Sequence, residues 1–163
     1  MRAGNVGIAA VFVAALVAFG CAAPSRQDEV ASKGAMVMPF DLARTTHYFD
    51  DRPDGGVQAV TANDPADAKQ VALIRAHLAE EAQRFARGEF SDPAAIHGSG
   101  MPGLATLAKA HDRLRVAYRE LPAGASITYA SADPAVVEAV HQWFAAQRSD
   151  HAAHEHMHGH MHH

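Results

Sequence analysis

The sequence predicts an α+β fold: a duplicated ββα unit whose four strands form one antiparallel sheet with the helices on one face. Three observations carry this. Two segments spell strand, Pro-x-Gly turn, strand, Asp-Pro-Ala and helix in the same order. Each helix carries a single apolar stripe. Val71 and Val140 stand equally far past their Asp-Pro pairs, as do Ile74 and Trp143.

Each element has a local reason. Thr45 to Phe49 is β-branched and aromatic, Pro53-Asp54-Gly55-Gly56 is a turn, and Val57 to Thr61 returns as a second strand. Asp64-Pro65 is the expected helix start, with Asp64 as N-cap and proline at the first position. Val71, Ile74, Leu78, Ala82 and Phe85 then recur at helical spacing. In the second half, Leu114 to Arg119 is a strand, Pro122-Ala123-Gly124 the turn and Ser126 to Ala130 the returning strand. Asp133-Pro134 opens the second helix, with Val136, Val137, Val140, Trp143 and Phe144 as its stripe. Between the halves, Gly and Pro make the first part of "SDPAAIHGSGMPGLATLAKAHDR" a loop, and Leu104 to His111 a short helix.

Outside the two halves the composition changes. Val6 to Phe19 is an apolar run behind Arg2, about the length of a signal-peptide core and short for a membrane span. Residues 1–20 are therefore expected to be a signal peptide. Ala18 and Gly20 suit a signal peptidase, and Cys21 after them resembles the lipid-accepting cysteine of bacterial lipoproteins. Phe19 departs from that pattern, where a small or β-branched residue is usual. Ordinary secretion and an uncleaved anchor are the other outcomes. Cys21 is the only cysteine, so the exported part can form no internal disulfide. Residues 21–37 are small and polar and read as a flexible tether, leaving 38–150 for the domain and 151–163 for a tail.

The 163-residue chain is 48% hydrophobic, ordinary for one globular domain. A net charge of −4 without a basic patch speaks against a nucleic-acid partner. An unperturbed imidazole titrates near pH ~6.5, so in mild acid a chain with twelve histidines is expected to turn positive.

The histidines point to metal chemistry. Residues 151–163 read "HAAHEHMHGHMHH", seven histidines and two methionines. His151, His154, His156, His158, His160, His162 and His163 offer imidazole, which suits Cu(II), zinc and nickel. Met157 and Met161 offer thioether, which suits Cu(I). The segment has too little apolar content to join a core and is expected to be disordered without metal. Glu155, Gly159 and the methionines interrupt the run, unlike an expression tag.

Within the domain, His47, His77, Glu81, His97 and Met101 form a weaker candidate set. His77 and Glu81 stand four apart on the first helix and share a flank, which a metal or plain solvation would explain. His47 shares its strand face with Thr45 and Phe49, and is otherwise a core histidine bonded to backbone. His97 and Met101 lie four apart in the glycine-rich loop, an imidazole–thioether pair suited to copper; Met101 could equally plug the core. His111 and His141 read as structural or exposed.

The segments "MPFDLARTTHYF", "DGGVQAVTANDPADAKQVALIRAHLAEEAQRFARGEFSDPAAIHGSGMPGL" and "SITYASADPAVVEAVHQWFAAQRSDH" resemble a family of small exported bacterial proteins of unestablished activity. The resemblance spans Met38 to His151 and implies histidine-rich chain ends. Members are sometimes named aspartate carbamoyltransferase, an activity this sequence speaks against. Such enzymes hold carbamoyl phosphate with a Ser-Thr-Arg-Thr loop at a helix N-terminus. Here "LARTTH" supplies only Arg44-Thr45, ahead of a strand, and about 110 residues cannot build two α/β domains.

The expected function is thus an exported, lipid-anchored metal-binding protein for copper first, then zinc or nickel. It would act in capture, buffering or resistance, with a periplasmic metal-transport protein as partner. The alternatives are a periplasmic protein-interaction module with an incidental tail, and a small metal-dependent hydrolase using His47, His77, Glu81 and His97.

Overall fold

The structure, a computed structural model, describes residues 23–158, with side chains as far as His151. The expected signal peptide and Cys21 lie outside the described residues, as do residues 159–163 and the side chains of the tail beyond His151.

The chain forms α1 (Arg26–Val37), β1 (Thr45–Arg52), β2 (Gly55–Ala62), α2 (Ala68–Ala86), α3 (Ser91–His97), α4 (Leu104–Lys109), β3 (Arg115–Leu121), β4 (Gly124–Ala130) and α5 (Pro134–His158). Short 3-10 turns at Leu42–Arg44 and His111–Arg113 lead into β1 and β3. The four strands make one antiparallel sheet in the order β1-β2-β4-β3.

Both hairpins turn on two residues, Pro53-Asp54 and Pro122-Ala123, so Arg52 pairs with Gly55 and Leu121 with Gly124. The glycines matter because the two central strands begin there. A Cβ at Gly55 (φ +148°) would lie 2.0 Å from the Tyr129 carbonyl oxygen, and one at Gly124 2.0 Å from that of Val60. Only a residue without Cβ permits such approach.

One sheet face carries Val60, Ala62, Ala125, Ile127 and Tyr129, all buried. Helix α2 lies over β3 and β4, and α5 over β1 and β2, so each helix covers the hairpin of the other half. The predicted stripes are the faces they bury, except that Val137 is only half-buried. Trp143 sits at the centre. Its ring meets Tyr129 edge-on at 5.3 Å, Phe85 at 5.9 Å and Phe90 at 5.8 Å, and it is 0% exposed. Edge-to-face contact suits the ring quadrupoles.

Four boundaries differ from the sequence expectation. Residues 26–37, expected to be tether, form α1. Ser25 accepts from the Asp28 amide while the Asp28 carboxylate accepts from the Ser25 amide, a capping box. Val30 and Gly34 are buried, and Arg26 bonds both Asp150 oxygens at 3.0 and 2.7 Å. Helix α2 starts at Ala68 with Asp67 as its cap, because Asp64 instead closes a turn by accepting from the Ala66 amide. The loop expected around His97 is helical from Ser91 to His97 and stops at Gly98, φ +94°. Helix α5 does begin at Pro134, with Asp133 accepting from the Ala135 amide, but it runs past Asp150 to His158 rather than ending where the tail begins.

Docked α1 makes a testable difference. Val30 is 2% exposed, and an unpaired carboxylate buried there costs several kcal/mol. Val30→Asp should therefore release the helix. Limited proteolysis should then cut within residues 26–37 while the far-UV circular dichroism of the sheet persists. Protection of that segment equal to wild type would contradict the docking.

Candidate metal centre

The helix-covered face of the sheet leaves a partly open cavity of about 30 Å³ between β1, α2, α3 and α5. The apolar part of its wall includes Phe40, Phe49, Leu78 and Trp143. The polar part is His47, Gln58, His77, Glu81, Asp92, His97, Gln147 and His151. Thus four of the five domain residues singled out in the sequence converge on one cavity, joined by the first tail histidine. Met101 does not line it. It is 6% exposed in the core and borders an open groove with Arg26, His97 and Asp150 on the other side.

One end of the wall is built by α2 and the start of α3. His77 and Glu81 are one helical turn apart, and Asp92 in the first turn of α3 faces them. One ligand atom from each of the three lies within 4.8 Å of the others. Arg84 braces the carboxylates, its Nη1 donating to Glu81 Oε1 at 3.3 Å and to Asp92 Oδ2 at 3.0 Å.

Burial sets the charges here. It pushes the Glu81 carboxyl up to about 8, with the Asp92 charge adding to the shift and Arg84 opposing it. Burial also pulls the His77 imidazole below its ordinary value despite Asp92 and Glu80. At neutral pH the site therefore holds a neutral imidazole and a protonated Glu81. A divalent cation would take the place of that proton.

The other end is built by β1, the end of α3 and α5. His97 Nδ1 lies 2.8 Å from Asp150 Oδ2. Burial lowers the His97 pKa and outweighs Asp150. Burial raises that of Asp150, but its bonds to Arg26 and His97 together outweigh this and hold it low. The pair is thus a neutral imidazole donating from Nδ1 to a carboxylate, which leaves Nε2 as a lone-pair donor. The His151 ring centre is 5.3 Å from that of His97 and 5.4 Å from that of His47. Phe40 packs on both His47, at 6.1 Å, and His77, at 5.7 Å.

Two buried polar atoms on the wall lack a hydrogen-bond partner, Trp143 Nε1 and Gln147 Oε1. Unpaired buried polar atoms are rare, and one donor and one acceptor around one cavity call for a polar occupant.

Of the two other domain histidines, His141 has a structural role. His141 Nε2 sits 3.0 Å from the Arg52 carbonyl and 2.9 Å from that of Gly55, tying α5 to the first hairpin. His111 is half-buried against Gly88. Arg44 pairs with Asp67, and the Thr45 hydroxyl donates to the Leu42 carbonyl, so neither is arranged as a phosphate cradle.

Sequence reasoning passed over Asp92, Gln147, Asp150 and Arg26. Asp92 had a signal, since Asp followed by Pro93 fits a helix start. The other three are brought in only by packing. No protein-family model matches the chain, and no curated protein or solved structure matches it either.

Proposed function

We propose that this is an exported metal-binding protein, anchored through Cys21, whose domain holds a buried divalent-metal centre made by His77, Glu81 and Asp92. One observation carries the reading: three ligand atoms of the right types within 4.8 Å of one another on the wall of a small, partly open cavity. One imidazole and two carboxylates suit Zn(II), Ni(II) or Cu(II), not Cu(I), which prefers sulfur. Cu(I) would belong to Met157 and Met161 of the tail. The protein would capture or buffer metal and pass it to a periplasmic transport partner. A cavity of about 30 Å³ has room for an ion and its water, which favours binding over hydrolysis of a substrate. The family resemblance rests on the quoted segments alone. Duplication of a ββα unit is supported by the paired Pro-x-Gly hairpins, the matching positions of Gly55 and Gly124 and the crossed covering of hairpins by helices.

The test uses the full chain with six tail histidines, His154, His156, His158, His160, His162 and His163, each replaced by glutamine. Calorimetric titration with Zn2+ should still show tight binding. Adding Asp92→Asn should weaken one binding event at least tenfold, about 1.4 kcal/mol. Binding unaltered by both Asp92→Asn and His77→Gln would remove the centre from these residues.

A further inference from the structure

We propose that the His77–Glu81–Asp92 centre keeps an open fourth position for a water molecule, which Trp143, Gln147 and His97 hold in place. The proposal rests on the metal-binding reading and adds how the ion's solvent ligand is fixed.

The first observation is the stripe that α5 turns inward. Val136, Val140 and Trp143 continue at the same spacing into Gln147 and Asp150. All five are buried, Gln147 at 5% and Asp150 at 9% exposure. An apolar stripe that turns polar without leaving the interior needs partners for its polar groups. Asp150 has them in Arg26 and His97. Gln147 Oε1 and Trp143 Nε1 have none, and both residues line the cavity.

The second is the hydrogen-bonding capacity of the wall. Trp143 Nε1 can only donate and Gln147 Oε1 can only accept. His97 gives Nδ1 to Asp150, and its Nε2 has no partner among the described residues. One donor and two acceptors therefore stand open on one cavity. A water molecule supplies the complement, two hydrogens for the acceptors and one lone pair for the indole N–H. Its second lone pair remains for a metal ion.

The third is placement. Trp143 packs edge-on against Phe85 at 5.9 Å and Phe90 at 5.8 Å. Glu81 is one helical turn before Phe85, and Asp92 is two residues after Phe90. The indole thus lies against the two segments that carry the carboxylates. A cavity of about 30 Å³ suits an ion with one water, since a water needs roughly 10–15 Å³ of it.

Three protein ligands and one water is the arrangement of metal sites that exchange a ligand, whereas sites closed by four protein ligands serve structure. His97, fixed through Nδ1 by Asp150 and Arg26, orients the water from outside the ligand set.

The experiment uses the chain with its six tail histidines replaced by glutamine, and Zn2+ as the probe. Trp143 is the only tryptophan, so isotope-labelled protein gives one indole N–H resonance in a nitrogen–proton correlation spectrum. One zinc equivalent should replace that resonance with another further downfield, and Asp92→Asn should abolish the change. Gln147→Leu should act in two directions. It removes an unpaired buried acceptor and should raise the melting temperature under chelator, yet weaken zinc binding about tenfold. A glutamine that only packs would leave zinc affinity alone. His97→Phe, which keeps a ring and loses the acceptor, should weaken zinc by a similar factor; if it does not fold, Gln147→Leu still decides. Zinc that binds in an Asp92-dependent event without moving the indole resonance, or with affinity unaltered by Gln147→Leu, would overturn the water site and leave the metal centre standing. No zinc event lost with Asp92→Asn would overturn both.

Discussion

Replacing Trp143 with alanine should lower the free energy of unfolding by about 3–5 kcal/mol. The indole is fully buried where α5 meets the sheet, with Phe85, Phe90 and Tyr129 all edge-on to it. Truncation loses the transfer energy of the ring and leaves a hole that rigid aromatic neighbours fill poorly. A domain of this size has about 5–15 kcal/mol in all, so the variant should be close to unfolding at 37 °C. Urea titration followed by far-UV circular dichroism measures it, because Trp143 is the only tryptophan and its fluorescence goes with it. A loss below about 1 kcal/mol would mean the core does not centre on this ring.

Glu81→Gln should have opposite effects on the metal-free and metal-bound protein. The folded carboxyl titrates at about 8, against an ordinary value of 4.5, so between those values the folded state keeps a proton the unfolded state has lost. Stability contributed by this group is full below 4.5 and falls as pH rises through the window, by at most about 1.4 kcal/mol per unit. His77 and His97, whose pKa values are lowered, act in the opposite sense below 6.5, so the difference between variant and wild type is the informative quantity. Glutamine resembles the protonated carboxyl and removes the penalty. Without metal, the variant should melt above wild type at pH 9 and match it near pH 4.5. With zinc at pH 7.5, wild type should gain stability and release protons, whereas the variant should gain little at the His77 centre. A variant less stable than wild type at pH 9 under chelation would show that the folded Glu81 carboxyl is not raised above its ordinary value.

Both predictions concern one cavity, and its contents were legible only in part. His77 and Glu81 could be paired from sequence because a helix has a fixed period: four residues apart means one flank. His47 could be given a strand face by alternation. Nothing local said that this face would meet α2, or that His97 and His151 would close the same space. Met101 shows the converse. It stands as near His97 in sequence as Glu81 does to His77, but the helix ends at Gly98 and the chain turns Met101 away to another wall.

The sequence by itself determined the α+β class, the two hairpins, the faces of α2 and α5, and the start of α5 at Pro134. These follow from periods, turns and caps, which are properties of neighbouring residues. Tertiary structure decided the rest. Segment 26–37 has little apolar surface of its own and is helical against the fold, tied by Arg26 to Asp150, a residue 124 positions away. Asp67 rather than Asp64 caps α2 because Asp64 is used in the preceding turn. The raised Glu81 pKa, the His97–Asp150 pair and the unpaired Gln147 oxygen all depend on which distant groups the fold packs together. Burial and long-range neighbours set those properties, and neither is written in the residues next door.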